Sequence, residues 1–246
     1  MSSASSFCPY WRVLDTFCGK KHPVPDALDV SIVANSLPFM YFRTLLCSSM
    51  DLLEKCLAVN ELFTDLEIAT RQFISQGQLN CLQGCSKCCA NPKVPATALE
   101  FLPLAFELYH AGNADATLDK LELATEDSFC ILLNHLSAEG TSGLCSHYSQ
   151  RGLICRLFGS SARRNREGLK ELVTCKLIKE HRKEQYEAVS TAIREDLEVP
   201  GSTDYYTRLY GIDFHLAGQQ YPINLAIKKA LEAVISYYFY TEGEAV

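Results

Sequence analysis

The apolar residues Leu52, Cys56, Val59, Phe63 and Leu66 recur at steps of four and three, the spacing that lines one face of a helix. Further on, Thr97-Ala-Leu-Glu100 has the form of a capping box, in which a hydroxyl and a carboxylate satisfy backbone donors at a helix start. It predicts a helix running to about His110, with Pro103 late enough to kink it. Ala111-Gly-Asn-Ala-Asp115 predicts a loop, and a second helical stretch is expected from Leu118 to roughly Leu136. Ser137 to Gly143 then reads as a turn-rich connector into Cys145.

Between Glu171 and Leu197 the residues Tyr186, Val189, Ile193 and Leu197 stand at helical spacing among many charges, which predicts an exposed amphipathic helix. Two breakers follow, Glu198 to Asp204 and Gly218 to Pro222. In the last predicted helix Ile223, Ile227, Leu231, Val234 and Tyr238 share one face, and Lys228, Lys229 and Glu232 lie off it. No stretch alternates long enough to propose a large sheet, and no internal repeat or glycine-rich phosphate loop is present. The expected fold class is mainly α.

Composition narrows the picture. Of 246 residues, 48% are hydrophobic, so a substantial core can be buried. Against 29 acidic side chains stand 23 basic ones, a net charge of -6 that argues against nucleic-acid binding. The compact basic run Arg163, Arg164 and Arg166 reads as solvated surface. The most apolar segments, Leu37 to Leu46 and Ile223 to Tyr240, are broken by Arg43 and by Lys228, Lys229 and Glu232. Neither supplies the ~20 apolar residues of a membrane span. The start at Met1 lacks the basic residues and apolar run of a secretory signal, so a cytoplasmic location is expected. Twelve cysteines are many for a reducing compartment, where disulfides are rare, and metal binding or redox chemistry becomes the leading explanation.

Cys81-Leu-Gln-Gly-Cys85-Ser-Lys-Cys88-Cys89 crowds four thiols into one short segment. Thiolates held that close repel one another, and a bound metal removes the repulsion while favouring the deprotonated form. Two cysteines separated by two residues let a tight turn aim both sulfurs at one centre, zinc or an iron–sulfur corner. Adjacent Cys88 and Cys89 diverge in regular structure, so they serve different partners or one packs in the interior. Downstream come Cys145, Cys155 and Cys175; isolated cysteines are commonly buried and inert, so spacing alone favours ligation no more than burial. Cys8, Cys18, Cys47, Cys56 and Cys130 read as structural or incidental, His147 as a surface residue, and Glu100 as a cap.

The ordered set from Cys81 to Cys175 resembles the YkgJ-like cysteine-cluster family, with its zinc- or iron-chelating domain of CxxCxxCC type. The resemblance is carried by Cys81, Cys85, Cys88 and Cys89, then Thr97 and Glu100, then Cys145, Tyr148 and Arg151, then Cys155-Arg-Leu-Phe-Gly159 and Cys175. Three positions depart from the family pattern: the first gap holds three residues, Ser86 replaces a common glycine, and Gly152 replaces a usual proline. All three shape turns and remove no ligand. The resemblance implies that Cys145, Cys155 and Cys175 join Cys81, Cys85, Cys88 and Cys89 as metal ligands.

These readings combine into a helical single domain whose loops are held together by a cysteine-ligated metal site. Residues 1–75 are expected to form an N-terminal helical segment, 76–180 the metal-binding part, and 181–246 a helical extension packing on it. Seven patterned cysteines exceed the need of one tetrahedral ion, so an iron–sulfur cluster or iron, with redox or electron-transfer chemistry and a redox or protein partner, is the first functional expectation. Arg156 is expected to bind that cofactor through its fixed charge. The alternative is a zinc module with a closed four-thiolate site, acting by chelation or partner binding. A cysteine nucleophile with His147 as base lacks an orienting third group. Whether the chain is an enzyme is left open.

Overall fold

A computed structural model describes residues 50–137 and 142–242, which lie within one compact unit, Ser49–Val246. Cys8, Cys18, Cys47, the Leu37 to Leu46 segment and most of the proposed N-terminal segment lie outside the described residues. The architecture is mainly α, with nine α-helices among the described residues and three sheets of two strands each.

Helix α1 (Leu52–Gly77) begins with a full capping box: Glu54 N donates to Asp51 Oδ1 at 2.7 Å and Asp51 N donates to Glu54 Oε2 at 2.9 Å. Its buried stripe is Cys56, Val59, Leu62, Phe63, Leu66 and Phe73; the apolar periodicity marks out Cys56, Val59, Phe63 and Leu66, while Leu52 is only half-buried. A short 3-10 turn (Leu99–Phe101) leads into α2 (Leu102–His110), whose residues Leu102 to Phe106 are all buried. Pro103 does not kink this helix. The α-helix starts only at Leu102, so proline occupies the first turn, where its missing N–H costs no hydrogen bond.

Helix α3 (Ala114–Leu123) stops far short of Leu136. The expected helix is replaced from Leu133 by a hairpin of β2 (Leu133–His135) and β3 (Gly143–Cys145), with Leu133 opposite Cys145. Phe129-Cys-Ile-Leu-Leu133 is a short continuous apolar run, which periodicity cannot assign to helix or strand. Helix α4 (Leu153–Leu157) carries Cys155 and Arg156. A hairpin of β4 (Ala162–Arg164) and β5 (Lys170–Leu172) follows, and then α5 (Lys176–His181) and α6 (Lys183–Glu195). The single helix expected inside 171–197 is therefore two, broken at Arg182. Helices α7 (Ser202–Ile212) and α8 (Phe214–Ala217) precede α9 (Ile223–Glu242). Strands β1 (Pro95–Ala96) and β6 (Tyr221–Pro222) pair antiparallel.

The larger core joins α1, α2, α4, α7 and α9 through Phe63, Phe101, Phe106, Leu153, Leu209 and Leu231. A ring stack at 4.2 Å between Tyr109 and Tyr238 continues the α2–α9 seam. A smaller core gathers Phe73, Leu79, Ala162, Leu172, Ile178, Val189 and Ile193. Cys89, Cys145 and Cys155 pack on the margin of the first and Cys175 on that of the second. The sulfur-bearing loops therefore run between two apolar masses. No helix of the described residues is long and apolar enough to cross a membrane.

Candidate metal centre

The first cysteine loop is shaped by a turn. Cys85 N donates to Leu82 O at 3.2 Å, and Gly84 closes the turn at φ +70°, a conformation that glycine adopts without a Cβ penalty. The extra residue between Cys81 and Cys85 is thus absorbed locally, and both thiols stay on one loop. Ala90 N donates to Ser86 O at 2.9 Å, winding the chain back after Cys88 and Cys89.

Distant segments close over this loop through the main chain. Gly143 N donates to Gly84 O at 3.1 Å, Cys85 bridges Ser142, and Cys130 N donates to Cys89 O at 3.0 Å. Cys145, paired with Leu133, thereby comes close to the first loop. Cys155 arrives on α4, whose start is held by Glu100: Ile154 N donates to Glu100 Oε2 at 2.8 Å. The same carboxylate accepts from Thr97 N at 2.6 Å and Thr97 Oγ1 at 3.1 Å. Glu100 thus accepts from Thr97 N, the half of the capping box that the sequence pattern assigns to the carboxylate, and also ties the Thr97 turn to the Cys155-bearing start of α4. Its carboxyl is fully buried, and burial pushes its pKa up to about 7 despite these donors. At Gly152 any Cβ would stand 2.7 Å from the Phe101 ring and 2.9 Å from Glu100 Oε2, so the chain passes here in close contact. Cys175 occupies the N-cap position of α5 without a side-chain capping bond, at the far end of the β4–β5 hairpin from Cys155.

All nine described cysteines are free thiols. Their mutual electrostatics sorts them into two groups. The Cys81 thiol is raised by burial and then by the charges of Cys85, Cys88 and Cys175. Cys155 is raised by burial, by Glu100, and by Cys130, Cys88 and Cys145. Cys89 is raised first by its contact with Cys88, then by burial, Cys130 and Cys155. An outer group of Cys81, Cys85 and Cys175 and an inner group of Cys89, Cys130, Cys145 and Cys155 are linked by Cys88. Cys56, apart from both, is pushed up to about 12 by burial and behaves as a core hydrophobe.

Cys88 differs from the rest. Its Sγ lies 3.9 Å from that of Cys89, and that S–H contact, opposed by burial and aided by backbone N–H groups and the Arg151 charge, holds it below the ordinary thiol range. Arg151 also lowers Cys145, against the larger effect of burial, and its guanidinium sits 3.9 Å from the centroid of the Tyr148 ring. Its buried Nε has no hydrogen-bond partner among the described residues. Arg156 is held by the backbone and also feels the Cys155 thiol: Nε donates to Arg151 O at 3.0 Å, Nη2 donates to Ser149 O, the group lies 4.3 Å from the Phe63 centroid, and the Cys155 charge acts on it. Burial depresses its pKa to about 10. His147 holds Ser146 Oγ at 2.9 Å through Nδ1.

The donor set suits a thiophilic cation. Exposed, half-buried and buried thiols influence one another by charge, one is biased towards thiolate, and an arginine N–H is left without an acceptor. Among the described residues no three of His, Cys, Asp and Glu converge in geometry that would hold an ion. The fold gathers the sulfurs; their side chains are not aimed at one point.

Cys130, read from sequence as a core residue in a helix, is buried but lies in the loop before β2, beside Cys89, Cys145 and Cys155. Burial first, with Cys145 and Cys88 adding, pushes its thiol up to about 11. The available signal was the apolar run ending in turn residues, which marks a hairpin strand with Cys130 at its base.

Residues 80–189 match the CxxCxxCC family model, described as "Putative zinc- or iron-chelating domain". The match supports binding of zinc or iron by this segment. Neither a curated protein nor a solved structure matches the chain.

Proposed function

We propose, taking residues 80–189 as a CxxCxxCC zinc- or iron-chelating domain, that this chain holds iron as an iron–sulfur cluster and serves in electron transfer with a protein partner. The observation that supports this reading is the number of thiols the fold gathers: four inner and three outer cysteines, each group coupled by charge to Cys88, are more than one tetrahedral ion employs. In this reading Cys81, Cys85, Cys88, Cys89, Cys145, Cys155 and Cys175 are ligands, and Cys130 joins them. An iron–sulfur cluster supplies one-electron redox chemistry when bound. Arg151, whose charge already favours the thiolates of Cys88 and Cys145, would stabilise the ligand sulfurs. Arg156 acts on the cofactor through the Ser149–Arg151 turn that it holds. The chelating part spans 76–180, between helical segments 1–75 and 181–246, and free thiols suit a cytoplasmic location.

A zinc module is the second reading, favoured by the inner group itself, since Cys89, Cys130, Cys145 and Cys155 number the four ligands of a closed tetrahedral site. Metal and acid-labile sulfide per chain on anaerobically purified protein decide between the two. Iron with matching sulfide is expected; zinc without sulfide would establish the module instead, and neither metal would overturn both.

A further inference from the structure

The basic run set aside in the sequence lies on the β4–β5 hairpin, which frames a cavity of about 240 Å³ lined by Arg163, Arg164, Lys170, Val199, Thr203 and Asp204, among others. Arg163 stands opposite Glu171, an ordinary cross-strand pairing of opposite charges. Arg164 stands opposite Lys170, and like charges directly across a two-stranded ladder destabilise it. Among the described residues none of these three cations forms an ion pair. Arg164 Nη1 donates to Gly168 O at 2.8 Å, which leaves its other donors available.

The opposite wall is the start of α7. Gly201 occupies the cap position and no side chain caps the helix there, so the positive end of its dipole adds to the hairpin's charge. Asp204 is the opposing charge of the lining; its carboxylate folds back over Gly201. Three cations and a helix start against two carboxylates, Asp204 and the Glu171 opposite Arg163, leave the cavity positive. Its walls are joined by the main chain, through Ala162 N donating to Pro200 O at 2.9 Å and the bridge between Ala162 and Gly201. The site therefore needs no assembly step before a ligand arrives.

We propose that this cavity binds a phosphate-type oxyanion, free or as a small phosphate monoester, with Arg164 and Lys170 relieved of their mutual repulsion by the ligand. The arginine fork and the lysine ammonium provide charge-assisted donors to tetrahedral oxygens, and α7 contributes first-turn N–H groups near Thr203. The site is independent of the metal reading, because none of its lining residues is a proposed ligand.

The test is calorimetric titration of the full chain, carrying its native metal, with inorganic phosphate and separately with glycerol 3-phosphate, against sodium chloride at equal ionic strength. Saturable binding at a Kd at or below about 1 mM is expected, absent with chloride. Tighter binding of glycerol 3-phosphate would identify a monoester as the preferred form, and tighter binding of phosphate the free ion. The double substitution Arg164→Gln, Lys170→Gln is expected to weaken binding at least tenfold, with metal content unchanged. If that variant does not fold, Lys170→Gln alone is expected to weaken binding severalfold. No saturable signal up to about 10 mM, or equal affinity in the folded variant, overturns the proposal.

Discussion

The α2–α9 seam and the cysteine loops are built on opposite terms. In the seam, Leu102, Leu104, Phe106, Ala226, Ala230, Leu231 and Val234 are apolar and fully or almost fully buried, and regular helices satisfy the backbone. The loops carry eight thiols, a buried carboxylate and an arginine with an orphan donor, joined by scattered main-chain hydrogen bonds. Burial of apolar area stabilises the first at ~25 cal/mol per Å². The second gathers groups whose burial costs free energy until a cation or proton compensates them. A chain can therefore hold a well-packed scaffold and a chemically frustrated site side by side, and perturbations should separate the two.

Metal removal should separate them most. An anaerobic chelator is expected to raise hydrogen exchange by orders of magnitude in 81–91, 128–137 and 142–175 while α1, α2 and α9 keep their protection; uniform loss across both regions would break the contrast. Cys88→Ser should act in the same direction and lower metal per chain, and unchanged stoichiometry would remove Cys88 from the ligand set. Truncation in the seam should do the reverse. Phe106→Ala is expected to cost about 3–5 kcal/mol in urea unfolding, with metal per folded chain unchanged.

Glu100 sharpens the comparison through pH. Its folded pKa of about 7 lies above the ordinary 4.5, so the folded state keeps a proton that the unfolded state releases. This contribution is fully present below pH 4.5 and is lost as pH rises towards 7, amounting to about 3 kcal/mol. Glu100→Gln should lack that slope; identical pH profiles for the two proteins would show that burial does not govern the carboxyl. The smallest effect is expected at the exposed Arg208–Asp65 pair, 2.6 Å apart, which links α7 to α1. Arg208→Ala should shift stability by about 1 kcal/mol or less, and less still at high salt.

Helices α1 and α9 were legible because a repeating apolar stripe is a property of local spacing, and Cys56 and Leu231 occupy it in sequence as they do in space. The Cys81 to Cys89 loop was legible for a similar reason, since four thiols in one short segment need no fold to bring them close. The stretch after Leu123 was misread as helix because Phe129 to Leu133 is apolar without a period, and the pairing of Leu133 with Cys145 depends on a partner strand. Cys130 was misplaced in that helix, although its burial in the core was read correctly. Its place beside Cys89 rests on one main-chain hydrogen bond between segments far apart in sequence. Arg151 and Arg156 could not be told apart either, since Arg156 donates to Ser149 O and Arg151 O while Arg151 Nε has no acceptor among the described residues, an arrangement set by the 3-10 turn between Tyr148 and Gln150.

By itself the sequence determined a mainly helical chain, its two long helices and a cysteine-rich segment suited to zinc or iron, because periodicity, composition and short spacings act within a few residues. Only the tertiary structure decided that Cys130 joins the inner sulfurs, that Glu100 ties Thr97 to the start of α4, and that a basic hairpin faces the uncapped start of α7. Each of these depends on loop closure between remote segments, whose entropic cost is met by the packing of the whole domain and leaves no local trace.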